Sequence, residues 1–173
     1  MFKFTKIGLF MTSLLWGTAV NGQDTDVPQI TEISFSTRMV DATTGDRTVS
    51  IFITATDDLS GVKKVIPDII YPNGRRVNCT ATLVAGDSLN GQWQYDFVIP
   101  RYLEPGRATV EIFLNDEALN HISLTTAQLN AAGFAADFQI FNDTPDTNAP
   151  TITNVMVSDQ IVDISAGDQT VTV

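Results

Sequence analysis

The chain has one cysteine and one histidine in 173 residues. A single thiol cannot form an intrachain disulfide, so the fold has to rest on its core. A single Cys with a single His (Cys79 and His121) cannot build a zinc centre, which needs a cluster of such ligands. Glutamate is scarce as well: of the 20 acidic residues only Glu32, Glu104, Glu111 and Glu117 are Glu, and the rest are Asp. Asp favours turns and caps where Glu favours helices, so this bias points to strands and turns. Basic residues number only 10, giving a formal charge of −10. That argues against nucleic acid and against anionic membrane surfaces. There is no Gly-rich phosphate loop. The longest apolar stretch, Ile7 to Val20, is 14 residues, short of the roughly 20 that span a bilayer.

That stretch has another reading. Lys3 and Lys6 precede it, and Ala19 and Gly22 end it with small residues. Residues 1–22 therefore read as a signal peptide, cut after Ala19 or Gly22. Cutting after Gly22 leaves eight basic and 20 acidic residues, a charge of −12. The expected localisation is secreted or cell surface, with no membrane insertion.

What the chain does have is a repeat. Residues 24–51, opening DTDVPQIT, align without a gap on 146–173, opening DTNAPTIT, and 12 of the 28 pairs are identical. Roughly two would match by chance from average composition. A period of 122 is the length of a domain. The expected layout is a signal peptide (1–22), one domain (24–145), then linker and first strands of an incomplete second copy (146–173). The tail apolar residues then lack covering strands, and the chain reads as a fragment of a longer array.

Alternating runs separated by turns fill the first copy. Strand A holds Ile33 and Phe35, strand B Val49 to Ala55, and strand C Val62 to Tyr71. Pro67 in strand C implies an edge or a bulge, because it removes a ladder donor. Val77, Cys79, Ala81 and Leu83 read as strand D, with Cys79 a small buried residue. Trp93, Tyr95, Phe97 and Ile99 mark strand E, Ala108 to Leu114 strand F, and Phe138 and Ile140 strand G. TTAQLNAAG (125–133) predicts a short helix with a Thr cap and Gly133 as its stop. Trp93, Phe97, Ile51, Ile53, Val110 and Ile112 are the expected core. The reading is all-β: a seven-stranded antiparallel sandwich of the immunoglobulin or fibronectin type III kind.

The stretches ATDDLSGV (55–62), GQWQYDFVIP (91–100), EPGRATVEIFLNDEALN (104–120), TTAQLNAAGF (125–134) and DTNAPTIT (146–153) resemble the Ig-like repeat of secreted and cell-surface bacterial proteins. The resemblance covers residues 24–173. That family tends to carry an Asp-x-x-Gly-Asn turn after strand F; Asp116 and Asn120 match it, and Leu119 stands where Gly is usual. The resemblance implies an extracellular, non-catalytic module.

No catalytic constellation emerges from the sequence. His121 and Ser123 have no third partner, and Glu104 and Glu111 bracket strand F too widely for glycoside hydrolysis. Asn78 and Asn142 fit the glycosylation pattern. One cluster is sharper. The start of strand A and the loops after strands B and F share one end of such a sandwich, which gathers Asp24, Asp26, Asp57, Asp58, Asp116 and Asn120. Oxygen ligands of this kind suit Ca²⁺, and the same residues also read as turn caps in water. The expected function is a structural or adhesive repeat module, stiffened by Ca²⁺ between copies. The alternative is a spacer or carbohydrate-binding accessory domain of a secreted hydrolase. Expected partners are neighbouring repeats of the same chain and an extracellular protein or glycan.

Overall fold

The computed structural model describes residues 22–158 and 161–172. The predicted signal peptide lies almost wholly outside the described residues. Among the described residues, ten strands and one helix follow in order: β1 (Gln29–Phe35), β2 (Met39–Asp41), β3 (Arg47–Thr56), β4 (Val62–Ile70), β5 (Arg76–Asn78), β6 (Thr82–Gly86), β7 (Asn90–Ile99), β8 (Gly106–Asp116), β9 (His121–Leu124), α1 (Thr126–Ala131) and β10 (Asp137–Phe141). Among the described residues the fold is all-β apart from the six residues of α1.

Two sheets enclose one core. The first has the order β1-β3-β7-β6, and the second β2-β10-β8-β4-β5, with β9 also paired to β8. Period-2 patterning explains the layering, because successive strand side chains point to opposite faces. Val49, Ile51, Ile53 and Ala55 turn one face of β3 inward and are fully buried. Trp93, Phe97 and Ile99 on β7 join them from the same sheet, and Val65, Ile69, Val110, Ile112, Leu114, Phe138 and Ile140 from the other. Burying each such aliphatic or aromatic side chain contributes about 1.5–3 kcal/mol. Phe97 on β7 meets Phe138 on β10 across the layers, with ring centroids 5.6 Å apart. The six expected core residues are all in this cluster, whose buried members among the described residues run from Ile33 to Ile140.

Several strands depart from the expected seven. The first strand region is split: β1 pairs antiparallel with β3, then the chain crosses over and β2 runs parallel to β10. The expected strand D is also split. β5 pairs with β4 in one sheet, whereas β6 pairs with β7 in the other. The crossing falls at 79–81, so Cys79 is exposed and not buried, while Ala81 is the buried residue of the crossing. A continuous alternation in the sequence hid a change of sheet. β9 is an added strand, pairing with β8 from Ile112 to Asn115. Contrary to the expected edge or bulge at Pro67, β4 lies between β8 and β5 and its register shift falls at Val62–Lys64; Pro67 pairs with Ile112 of β8 and sits just outside the β5-paired stretch Asp68–Ile70. The helix has the expected Thr125 cap, closed by Gln128 into a capping box.

Beyond β10, residues 150–158 and 161–172 contain no strand and are exposed. Their few hydrogen bonds nevertheless repeat the first copy at an offset of 122. Ser158 donates its amide to Thr172 as Ser36 does to Ser50, at 3.0 and 2.9 Å. Thr172 donates back to Ser158 Oγ at 3.3 Å, and Ser50 to Ser36 Oγ at 3.0 Å. Asp163 caps Ser165 and Asp41 caps Thr43, both at 2.9 Å.

Candidate functional site

The two ends of the molecule are chemically different. β3 runs from Arg47, opposite Ile99, to Thr56, opposite Asn90 and Gln29. Ten residues of strand separate these ends by roughly 30 Å. The chain enters at the Thr56 end through Asp24 and leaves at the Arg47 end through residues 142–146.

The entry end is where the sequence places its oxygen cluster, and the structure brings most of it together. Asp24 is the clasp. Its Oδ2 accepts the Ser60 amide at 2.9 Å, its Oδ1 accepts the Asp26 amide at 3.2 Å, and its backbone carbonyl accepts the Asn120 side chain at 3.2 Å. Hydrogen bonding from Ser60 holds the Asp24 carboxyl below its ordinary value, against an upward push from desolvation. Asp57 Oδ2 accepts the Gly61 amide at 2.6 Å and that of Leu59 at 3.3 Å. Its Oδ1 is buried with no hydrogen-bond partner. Carboxylate oxygens of Asp24, Asp57 and Asp58 lie within 4.8 Å of one another. Asp26, Asp57 and Asp58 line a shallow hollow of about 190 Å³ beside them.

Asp116 and Asn120 do a different job. Asp116 is fully buried; its Oδ1 accepts the Asn120 amide at 2.8 Å and its Oδ2 the Asn120 side chain at 2.7 Å. Both carboxylate oxygens are thus engaged in closing the β8–β9 turn. Of the six candidate ligands, three are close enough to share a cation, Asp26 borders them, and this pair is occupied with itself. The turn keeps its shape with Leu119 at φ 73°, in the left-handed region where Gly is the usual residue.

Ser60 and Gly61 were not singled out in the sequence, although their amides hold Asp24 and Asp57. The readable signal was the Asp57–Gly61 run itself, an Asx turn in which Gly61 adopts φ 91°. A Cβ on Gly61 would lie 2.6 Å from Ser88 Oγ.

Elsewhere, a cleft of about 230 Å³ opens on the outer face of the second sheet, between Asp68, Glu111, Phe113 and Ser123. Arg76 bridges Asp68 and Glu111 there. The hydrogen bonding to Glu111 and then to Asp68 raises the Arg76 pKa, so both acids face a fixed cation. His121 is exposed and stacks 5.9 Å from Phe113. Asn142 is buried and donates to the carbonyls of Arg101 and Leu103, so its glycosylation pattern serves the fold, whereas Asn78 is exposed.

Two sheets around one core, with oxygen-rich loops at one end, define an all-β domain. The chain belongs to a family described as a domain of unknown function, DUF7743, which matches residues 22–155. No curated protein matches the chain. Among solved structures, the crystal structure of the C-terminal domain of wzt is similar over 77% of this chain and 84% of its own, with a TM-score of 0.44 and 8% identity. Those values are too low to carry anything over from it.

Proposed function

We propose that this chain is a non-catalytic, Ig-like repeat module of an exported bacterial surface or secreted protein, acting as a structural or adhesive unit in a tandem array. The observation that carries the reading is the pairing of local geometry between 24–50 and 146–172. A sequence repeat alone could be a relic. A repeat that places Ser158 and Thr172, Asp163 and Ser165, in the same hydrogen bonds as their counterparts behaves as the opening of a second unit. The split first strand, antiparallel to β3 and then parallel to β10, supports the Ig-like assignment. The opposed positions of entry and exit suit stacking in a line. Ca²⁺ belongs to this reading only at Asp24, Asp57 and Asp58.

Export is tested by expressing the full chain in a Gram-negative host and determining the N-terminus of the protein found outside the cytoplasm. The expected start is Val20 or Gln23. Retention in the cytoplasm with residues 1–22 intact would contradict the reading.

A further inference from the structure

We propose that the cleft on the outer face of β4, β8 and β9 binds one neutral sugar ring, seated on Phe113 with its hydroxyls donated to Asp68 and Glu111. This rests on the adhesive form of the reading above and gives it a site and a ligand class. Strand register sets the shape. Asp68 stands opposite Glu111, Ile66 opposite Phe113, and Phe113 opposite Ser123. Opposed residues on one face are about 5 Å apart. The two β4–β8 pairs are two residues apart along the strands, or about 7 Å. A carboxylate pair thus lies beside an apolar floor, within the footprint of one six-membered ring. The cleft volume of about 230 Å³ is below the roughly 300 Å³ at which drug-sized sites begin.

The hydrogen bonds show which groups are left over. Asp68 Oδ2 accepts Arg76 Nε at 2.8 Å, and Glu111 Oε2 also engages Arg76. Asp68 Oδ1 is buried with no hydrogen-bond partner among the described residues. A buried acceptor left unmet is costly, and a hydroxyl donated to a carboxylate is among the stronger hydrogen bonds. Asn115 Oδ1, two residues beyond Phe113 on β8, is likewise buried and without a partner among the described residues. Acceptors therefore flank Phe113 and call for a ligand rich in donors.

Other ligand classes fit less well. A metal ion needs several free oxygens, and Arg76 already takes one from each acid. An anion is repelled, because one guanidinium offsets only one of the two carboxylate charges. A peptide strand adds at a sheet edge, whereas β4 and β8 each have neighbours on both sides. A sugar ring meets each demand. It is uncharged, it donates hydroxyls, and its C–H face suits the negative face of an aromatic ring. Phe113 is half-buried and packed beside His121, so its position is set before a ligand arrives.

Titrating the full chain and following its amide chemical shifts tests this. The probes are the methyl glycosides of glucose, galactose, mannose and N-acetylglucosamine, with n-butylamine as a cationic probe. At least one glycoside is expected to shift the amides of Glu111, Phe113 and Ser123 saturably. Phe113→Ala is expected to weaken that binding about tenfold, in line with the loss of one aromatic contact. Phe52→Ala, on the outer face of the other sheet, is expected to leave it unchanged. Ser123→Arg is a second variant at an exposed position. It sets a long cation beside the two acids, and is expected to abolish binding without lowering the melting temperature. A folded chain in which no glycoside gives saturable shifts would overturn the sugar site and leave the repeat reading standing. Binding of n-butylamine at these amides as tight as that of any glycoside would overturn the neutral ligand in favour of a cation. Glycoside shifts that survive Ser123→Arg would place the site elsewhere and overturn it here.

Discussion

Ser158 donates its amide to the carbonyl of Thr172 at 3.0 Å, across the same 14-residue separation as Ser36 and Ser50. No covering strand from a packed sheet enforces this contact, since the surrounding residues are exposed. Local sequence encodes it: a Ser that can both donate and accept, and an Asp that caps the turn between. On the repeat proposed above, the tail carries the local hydrogen bonds of a first strand pair without the core that would bury it.

Leu119 offers a test of the β8–β9 turn. It holds φ 73° and is 68% exposed, so its side chain gains little packing in return for the strain. Leu119→Gly should stabilise the protein by about 1 kcal/mol, the usual cost of a side chain in the left-handed region. Leu119→Ala, which keeps the Cβ, should give no such gain. Chemical denaturation of the three proteins checks this; a loss of stability in the Gly variant would contradict the strain argument.

Calcium and the buried turn make separable predictions. Millimolar Ca²⁺ should raise the melting temperature, by mass action, equivalent to roughly 2.7 kcal/mol at a hundredfold excess over the dissociation constant. Asp57→Asn with Asp58→Asn should abolish the rise, since these two with Asp24 form the close trio. Asp116→Ala should instead cost about 1–3 kcal/mol with or without Ca²⁺, because it strips the Asn120 amide and side chain of their buried acceptor. Calorimetry with no heat and no thermal shift would leave Asp24, Asp57 and Asp58 as turn caps in water.

How much of this was readable beforehand follows from what periodicity can report. It located β3, β7 and β8, because Val49–Ala55, Trp93–Ile99 and Ala108–Leu114 alternate cleanly. It also located α1, because a Thr at the start and Gly133 at the end bound the run 125–133. It could not show that Val77 and Leu83, in phase with one another, belong to different sheets, and so it buried Cys79 wrongly. Alternation records which face a residue presents, and carries no information on which sheet the strand joins. The site was half legible. The expected sandwich order placed the three loops at one end, and Asp24, Asp57 and Asp58 do converge there. The turn motif already paired Asp116 with Asn120, but that the turn takes both carboxylate oxygens of Asp116 is seen only in the hydrogen bonds.

Trp93→Ala should cost about 3–5 kcal/mol, since Trp93 is 4% exposed in the core of the first sheet. Urea melts check this; a loss below about 1 kcal/mol would mean that the cavity collapses or that the face of β7 is misassigned.

Acid should destabilise the fold through a defined set of carboxylates. Asp24 is held below its ordinary value by Ser60, and Asp41 by Thr43. Burial pushes Asp137 up, but Arg107 and Arg38 outweigh it and the net direction is down. A depressed folded-state pKa adds stability above the unfolded value, near pH 3.8, that is lost as pH falls through the folded value. Stability should therefore decline from about pH 4 downward, and Asp137→Asn should flatten part of that decline. A pH–stability profile as steep in the variant as in the parent would contradict this role for Asp137.

The central claim, that one unit closes at Asp146 and another opens there, is tested most directly by amide hydrogen exchange on the full chain as a dilute monomer. The Asp146 amide is bonded to Tyr102, whereas the described residues from 150 onward are exposed. The account predicts slow exchange in β3, β7 and β8, measurable protection at Asp146, and exchange within seconds across 150–158 and 161–172. Slow exchange throughout those last segments would mean that they pack on the first unit as part of it, and would contradict the account.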